Sequence, residues 1–390
     1  MARFPVVLGT GSFVPPTVVD NKTMMQMLRP YRSDNGEEVV SSWLERHLGI
    51  RERRLDLEIQ PGGAFRKKAR ADGGLFDGDF AVNAGLLALE DASVNAREID
   101  VLVHVSCTPD TVACWDHIRY IYCKLGLRSD CTPDYKNLGC AGLASGFGAA
   151  NMHIRANGSG RSIRVLLIAS NAPSCHMSSY SLSSYVNYAR LCAERGIKDE
   201  TGGWGWTSPA VFGDGASAAV FQLNGQEGRG LITSNSWVSP EHKLIVTPAG
   251  GCLEHAMPDN AWRQLFLMNA PLVGKVYPTL MARNYEHLLS TWDKSVAPVV
   301  GHAFDINRVK RFYFHQANGL AVHATATQLN VPLIKVPLNV DRYGNTSAPS
   351  TLILFDEDRK AGHVSEGDLV VFMWIGAGVG AMNGYAVFVV

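Results

Sequence analysis

A layered α/β fold made of two copies of one unit is the class this sequence predicts, and three observations predict it. Strand-length apolar runs alternate with helix-length segments in both halves of the chain, as layered α/β folds require. A glycine turn feeding an apolar strand occurs twice, from Gly213 to Phe221 and again from Gly376 to Phe388. The 390 residues are 46% hydrophobic and 18% charged, enough to bury a large core. The expected halves are residues 1–225 and 226–390.

Taken in order, Val6-Val7-Leu8 is a first core strand running into the Gly9-Thr10-Gly11 turn. Trp43, Leu44 and Leu48 stand at helical spacing, and Gly49 ends that helix. Residues 61–79, rich in Gly, Asp, Lys and Arg, read as a surface loop. Helix periodicity follows over 80–92, a buried strand over 99–106 and a helix over 119–125 closed by Gly126. Residues 141–157 predict a small-residue helix, and 163–170 the next buried strand. The Ser/Tyr-rich and Gly/Trp-rich stretch 174–208 reads as a lid or an interface element. In the second half, Phe312-Tyr313-Phe314 is a short strand, and a helix runs from about Gly319 to Leu329. Val340 to Ser350 reads as a strand end, a glycine turn and a helix start.

Formal net charge is +0, from 36 basic and 36 acidic residues, which gives no argument for a nucleic-acid or anionic-membrane partner. No apolar run approaches the roughly 20 residues that span a bilayer, and the N-terminus lacks the pattern of a secretory signal. Eight cysteines without CxxC or zinc-finger spacing predict reduced thiols in a cytoplasmic protein.

One of those cysteines stands apart. Cys140 lies in Asn137-Leu138-Gly139-Cys140-Ala141-Gly142, where a strand-like run ends in a tight turn and a small-residue helix begins. A helix N-terminus presents unpaired N–H groups and partial positive charge, which favour the thiolate, the nucleophilic form. His315 and Asn345 each follow a predicted strand end, where open α/β sheets place ligands.

At these residues the chain resembles β-ketoacyl-acyl carrier protein synthase III, within the thiolase-like superfamily. The resemblance runs almost end to end. It rests on Leu8-Gly9-Thr10-Gly11-Ser12, Gly49-Ile50-Arg51-Glu52-Arg53, Cys140-Ala141-Gly142, Phe212-Gly213-Asp214-Gly215-Ala216, His315-Gln316-Ala317-Asn318 and Gly344-Asn345-Thr346-Ser347-Ala348, in that order. It implies a five-layered α/β/α/β/α fold, a homodimer, and a catalytic set of Cys140, His315 and Asn345. It further implies an oxyanion hole from the N–H groups of Cys140 and Gly378, and substrate contacts from Trp43 and Asn318. Loop 108–117 aligns with one that reaches into the partner's acyl pocket, which would let Cys114 and Trp115 set chain length.

The chemistry fits that implication. Cys140 would attack an acyl thioester to form an acyl-enzyme. His315 and Asn345 would donate to the enolate that a malonyl-type thioester leaves on losing CO₂. The substrates are CoA or acyl carrier protein thioesters, and no metal or redox cofactor is needed. The chain also departs from the family. Leu320 stands where a carrier-protein docking arginine is usual, His47 replaces a second arginine, and 174–208 is long. These departures argue for a secondary-metabolism relative. Four other readings stay open: transfer from Cys140 to an alcohol or amine, a non-decarboxylative condensation using Asp110 or Asp116 as base, a catalytically silent accessory subunit, and a simple thioesterase.

Overall fold

The computed structural model describes residues 3–28, 37–111, 114–156, 162–245 and 267–390. Thirteen strands among these residues are β1 Arg3–Phe13, β2 Val18–Asp20, β3 Glu52–Arg54, β4 Glu58–Ile59, β5 Phe65–Arg66, β6 Val101–Ser106, β7 Thr132–Asn137, β8 Arg164–Asn171, β9 Gly215–Glu227, β10 Gly230–Ser239, β11 Val309–Phe314, β12 Leu369–Gly378 and β13 Gly380–Val389.

Two mixed sheets organise them. The first has the order β1-β9-β8-β6-β7 and the second β10-β13-β12-β11. The second repeats the pairing sense of the first four strands: antiparallel, antiparallel, then parallel. The strands buried on both faces read as continuous apolar runs, such as Val165 to Ala169 and Val370 to Ile375.

Five layers result. The Gly142–Ala156 and Ser350–Lys360 helices lie between the sheets, where Leu143, Phe147, Ala150, Leu352 and Phe355 pack against residues of both, among them Val105, Leu167, Phe372 and Trp374. The Asp77–Asp91 and Cys114–Leu125 helices cover the outer face of the first sheet. The Ala270–Ser295 and Gly319–Gln328 helices cover the outer face of the second. A helix squeezed between two sheets has no room for large side chains on every face. Gly142 shows this, since a Cβ there would lie 2.6 Å from Val105 Cγ1. The small-residue run after Cys140 is therefore a packing requirement of the middle layer.

Three elements differ from the sequence reading. Val340–Tyr343 is a short helix, not a strand end. Residues 61–79 hold strand β5, paired with β4, and a 3-10 turn at Arg70–Asp72. The stretch 174–208 forms the Ser179–Val186, Tyr188–Glu194 and Thr207–Val211 helices. Its Leu182, Tyr185, Tyr188 and Cys192 pack in one cluster with Met24, Met27 and Leu44, so this segment is a built cap over the N-terminal helices. Seven cysteines are free among the described residues; Cys252 lies outside them. No helix among the described residues is long and apolar enough to cross a membrane.

Candidate active site

The turn that carries Cys140 follows β7 and closes with the Gly142 N–H on the Gly139 carbonyl at 2.8 Å. Its geometry depends on a glycine in the opposite half. A Cβ on Gly376 of β12 would stand 2.3 Å from Cys140 Cβ and 3.0 Å from the Ala141 nitrogen. Only a residue without a side chain lets the two sheets' loops meet here.

Burial pushes the Cys140 thiol up. Four neutral groups pull the other way: the Ser347 hydroxyl, 3.3 Å from Sγ, the Ala377 N–H, the Asn345 side-chain amide and the Cys140 N–H. Each is a donor aimed at sulfur, and none carries charge.

His315 follows the last residue of β11 and is fully enclosed. Its N–H donates to the Met373 carbonyl at 2.9 Å, and its own carbonyl accepts from Tyr277 Oη at 2.8 Å. Nδ1 lies 3.2 Å from Ser350 Oγ. That oxygen also receives the Gln316 N–H at 3.5 Å, which leaves the hydroxyl proton for Nδ1. The ring proton is then assigned to Nε2, which makes Nε2–H a donor. Burial alone pushes the His315 imidazole down to about 3, so the ring is neutral across the physiological range.

Asn345 follows the Val340–Tyr343 helix and the Gly344 turn. Its N–H and carbonyl pair with Val211 and Gly213, which fixes the backbone between the two halves. Asn345 Oδ1 accepts the Ser347 N–H at 2.8 Å. An oxygen thus engaged orients the amide and turns Nδ2, a two-proton donor, toward the cavity and Cys140.

Cys140, His315 and Asn345 line one cavity of about 30 Å³, walled by Phe212, Ile245, Met268, Val276 and Ile375. Val273, Tyr277, Met268 and Ala317 also line a wider cavity of about 310 Å³. Trp43, Trp204 and Asn318 line that wider cavity, and Trp43 stacks on Trp204 with ring centroids 5.3 Å apart. Asn318 also caps the Gly319–Gln328 helix, its Oδ1 accepting the Ala321 N–H at 3.0 Å.

Other expected residues lie elsewhere. The N–H presented to Cys140 Sγ in the resting site is that of Ala377, and Gly378, the expected oxyanion donor, is the next residue, at the end of β12. Cys114 and Trp115 line neither cavity of their own chain. Trp115 is 76% exposed on the first turn of its helix, and Cys114 lies beside Tyr135. Asp110 is engaged rather than free: against burial, hydrogen bonds with His117, Arg70 and Gly78 hold its carboxyl down at about 2. Asp116 pairs with Arg119 at 3.4 Å.

Ser347 and Ser350 were not singled out in the sequence. Ser347 holds a φ of 62°, a conformation that costs a non-glycine residue energy and that aims its hydroxyl at the nucleophile. Ser347→Ala is expected to raise the apparent pKa of Cys140 and slow its alkylation at neutral pH by about 3- to 10-fold, roughly one hydrogen bond. The pH dependence of iodoacetamide labelling, followed by mass, checks this. An unchanged profile would remove Ser347 from the role.

The His315 shift also has a sign. The unfolded chain's histidine titrates near its ordinary value of 6.5, the folded one near 3. Between those values the unfolded state binds more protons. The stability contributed by the neutral ring is complete above about pH 6.5 and is lost progressively as pH falls toward 3. Urea unfolding of wild type and His315→Leu across pH 4–7 measures the difference, and parallel curves would contradict it.

Comparison with known proteins adds to this geometry. Residues 302–388 match the family described as 3-oxoacyl-[acyl-carrier-protein (ACP)] synthase III C terminal. A β-ketoacyl-[acyl-carrier-protein] synthase III of Roseiflexus sp. (strain RS-1) is 27% identical over 386 residues, covering 97% of each chain. Among solved structures, the 3-oxoacyl-(acyl carrier protein) synthase III FabH of Pseudomonas aeruginosa PAO1 superposes with a TM-score of 0.71 at 23% identity, covering 99% of this chain and 98% of that one. A cysteine-to-serine variant of OleA from Xanthomonas campestris, solved with lauric acid and lauroyl-CoA, superposes with a TM-score of 0.72 at 16% identity over the whole of both chains.

Proposed function

Because the chain is a β-ketoacyl synthase III-like ketosynthase, a carbon–carbon bond-forming acyltransferase of thiolase-like fold, we propose that it works in two half-reactions on Cys140. In the first, Cys140 Sγ attacks the carbonyl of an acyl thioester. The oxyanion is held by the N–H groups of Cys140 and Gly378, and the donor's thiol leaves with a proton. In the second, a malonyl-type thioester loses CO₂. The electron pair left behind forms an enolate, whose oxygen accepts from His315 Nε2–H and Asn345 Nδ2–H. The carbanion attacks the acyl carbonyl and expels the Cys140 thiolate. Ser347, Ala377 and Asn345 then stabilise that thiolate as the leaving group.

The observation that carries this reading is the fixed amide of Asn345. Its oxygen is committed to Ser347, so it offers a neutral donor beside a neutral, deeply buried histidine. That pair suits an enolate. A general base for an alcohol or amine acceptor needs a pKa near the working pH, and His315 stands far below it. The apolar passage past Trp43 and Trp204 supports an acyl thioester on a pantetheine-type arm. Leu320 and His47, in place of the two usual arginines, support a secondary-metabolite role with an unusual donor or acceptor. A homodimer is supported by β7 at the edge of its sheet and by the exposed Trp115 nearby in sequence.

The test is product analysis. A panel of acyl-CoA donors with malonyl-CoA is expected to give a β-ketoacyl thioester and one CO₂ per product. Formation of esters or amides from added alcohols or amines, with no CO₂ released, would overturn it.

A further inference from the structure

Beside Cys140 stands a second thiol that the reaction does not use. β6 and β7 are neighbouring parallel strands, with Ser106 opposite Asn137. Cys107 is the first residue past β6, and Cys140 stands on the turn after β7. Strands paired this way lie about 4.8 Å apart, within the span of about 4.4–6.8 Å between the Cα atoms of a disulfide. The two side chains meet, since Cys107 is partly buried and packs against Cys140 and Phe212.

One hydroxyl serves both sulfurs. Ser347 Oγ lies 3.3 Å from Cys140 Sγ and is in hydrogen-bond contact with Cys107 Sγ as well. Cys107 Sγ also donates to Asn171 Oδ1 at 3.8 Å. Both cysteines are free. Burial, then the neighbouring Cys140 sulfur and the Asp77 carboxylate, push the Cys107 thiol far up. It therefore stays a thiol and does not compete with Cys140 for an acyl thioester, because the thiolate is the nucleophile. As a plain wall residue, Cys107 would be a small apolar filler. Its contact with the nucleophile gives it chemistry as well.

We propose that Cys107 and Cys140 form a peroxide-sensitive dithiol, in which Cys107 is the resolving thiol that converts oxidised Cys140 into a reversible disulfide. The co-reactant is hydrogen peroxide. The Cys140 thiolate attacks one peroxide oxygen. An S–O bond forms, the O–O bond breaks, and the departing hydroxide takes up the proton that Cys140 gave up, leaving as water. Cys107 then attacks the sulfur of the Cys140 sulfenic acid. The S–S bond forms, the S–O bond breaks, and the Cys107 proton leaves with the hydroxide as a second water. Two thiols are oxidised by two electrons, and one peroxide is reduced to two waters.

The cavity of about 30 Å³ at Cys140 has room for so small an oxidant, since a water needs about 10–15 Å³. The disulfide closes the nucleophile to acyl donors. It also keeps Cys140 from reaching the sulfinic acid, which thiols do not reduce. An acyl group on Cys140 blocks the first step, so the device acts on the free enzyme. The inference rests on Cys140 as the reactive thiol of the reading above, and not on the condensation.

The experiment is hydrogen peroxide treatment of the intact, fully reduced wild-type protein. Wild type is expected to lose the mass of two hydrogens per chain and nearly all acyl loading, and to regain both on dithiothreitol. Non-reducing proteolysis is expected to join the peptide holding Cys107 to the one holding Cys140. Cys114 shares the tryptic peptide of Cys107, so fragmentation of the joined pair assigns the bond. Cys107→Ser is expected to load normally when reduced. Under peroxide it is expected to gain the mass of two oxygens on Cys140, with loading that dithiothreitol does not restore. Two results would overturn the proposal: wild type that gains oxygen on Cys140 as fast as Cys107→Ser and forms no cross-link, or a cross-link from Cys140 to a cysteine other than Cys107. Iodoacetamide labelling of reduced wild type separates this proposal from the one before it. An unlabelled Cys140 removes the nucleophile and the dithiol with it, whereas labelling without a cross-link removes the dithiol alone. The wild-type arms decide the matter even where the variant fails to fold.

Discussion

His315→Ala and Asn345→Ala are each expected to retain acyl loading of Cys140 while losing about 10²- to 10³-fold in condensation rate, the range for removing one preorganised donor to a developing oxyanion. The two half-reactions use different groups. Loading needs Cys140 and the N–H groups of Cys140 and Gly378, none of which either substitution removes. Decarboxylation needs the His315 and Asn345 donors. The effects differ in one respect. Asn345 also donates to Cys140 Sγ, so its loss raises the thiol's pKa and slows loading modestly. His315 has no such contact with sulfur among its hydrogen bonds. Rapid-quench measurement of acyl-enzyme formation, beside CO₂ release from malonyl-CoA, separates the two. Equal loss of both half-reactions in His315→Ala would contradict the division of labour.

The second large effect is expected from a position that touches no substrate. Gly376→Ala places a methyl group 2.3 Å from Cys140 Cβ and 3.0 Å from the Ala141 nitrogen, inside a sheet with no slack. The backbone must move, which costs about 1–3 kcal/mol of stability as an overpacked core does. It also shifts Cys140 relative to the Ala377 N–H, and a misplacement of that size costs about 10²-fold in rate. Chemical denaturation and acyl-loading kinetics on the same sample check both parts. A variant with wild-type loading would show that the contact between the two halves is looser than the structure places it.

The part of this site that was legible in the sequence is the part written in local grammar. Cys140 announces itself because strand, turn and small-residue helix are contiguous, and His315 and Asn345 because each follows a strand or glycine turn directly. The layered class was legible for the same reason, since strand and helix periods alternate along the chain. Elsewhere the signal was absent or misread. Nothing local in the sequence says that the Ala377 N–H meets the Cys140 sulfur, because the two residues lie on different halves of the chain. Leu182, Tyr185, Tyr188 and Cys192 do follow helical spacing, but the serines between them hid it, being weak helix formers that favour caps and turns. Ser178 takes that capping role, accepting the Ser181 N–H. The contact of Cys107 with Cys140 carries no spacing signal at all, because two different strands bring them together.

The most direct test of the account is intact-protein mass of wild type and Cys140→Ala after incubation with an acyl-CoA panel, followed by a malonyl-CoA chase. The account predicts that wild type alone gains one acyl mass, and that malonyl-CoA then removes it with release of CO₂. Acylation of Cys140→Ala to the same extent would contradict Cys140 as nucleophile, and an acyl mass on wild type that malonyl-CoA leaves untouched would contradict the condensation.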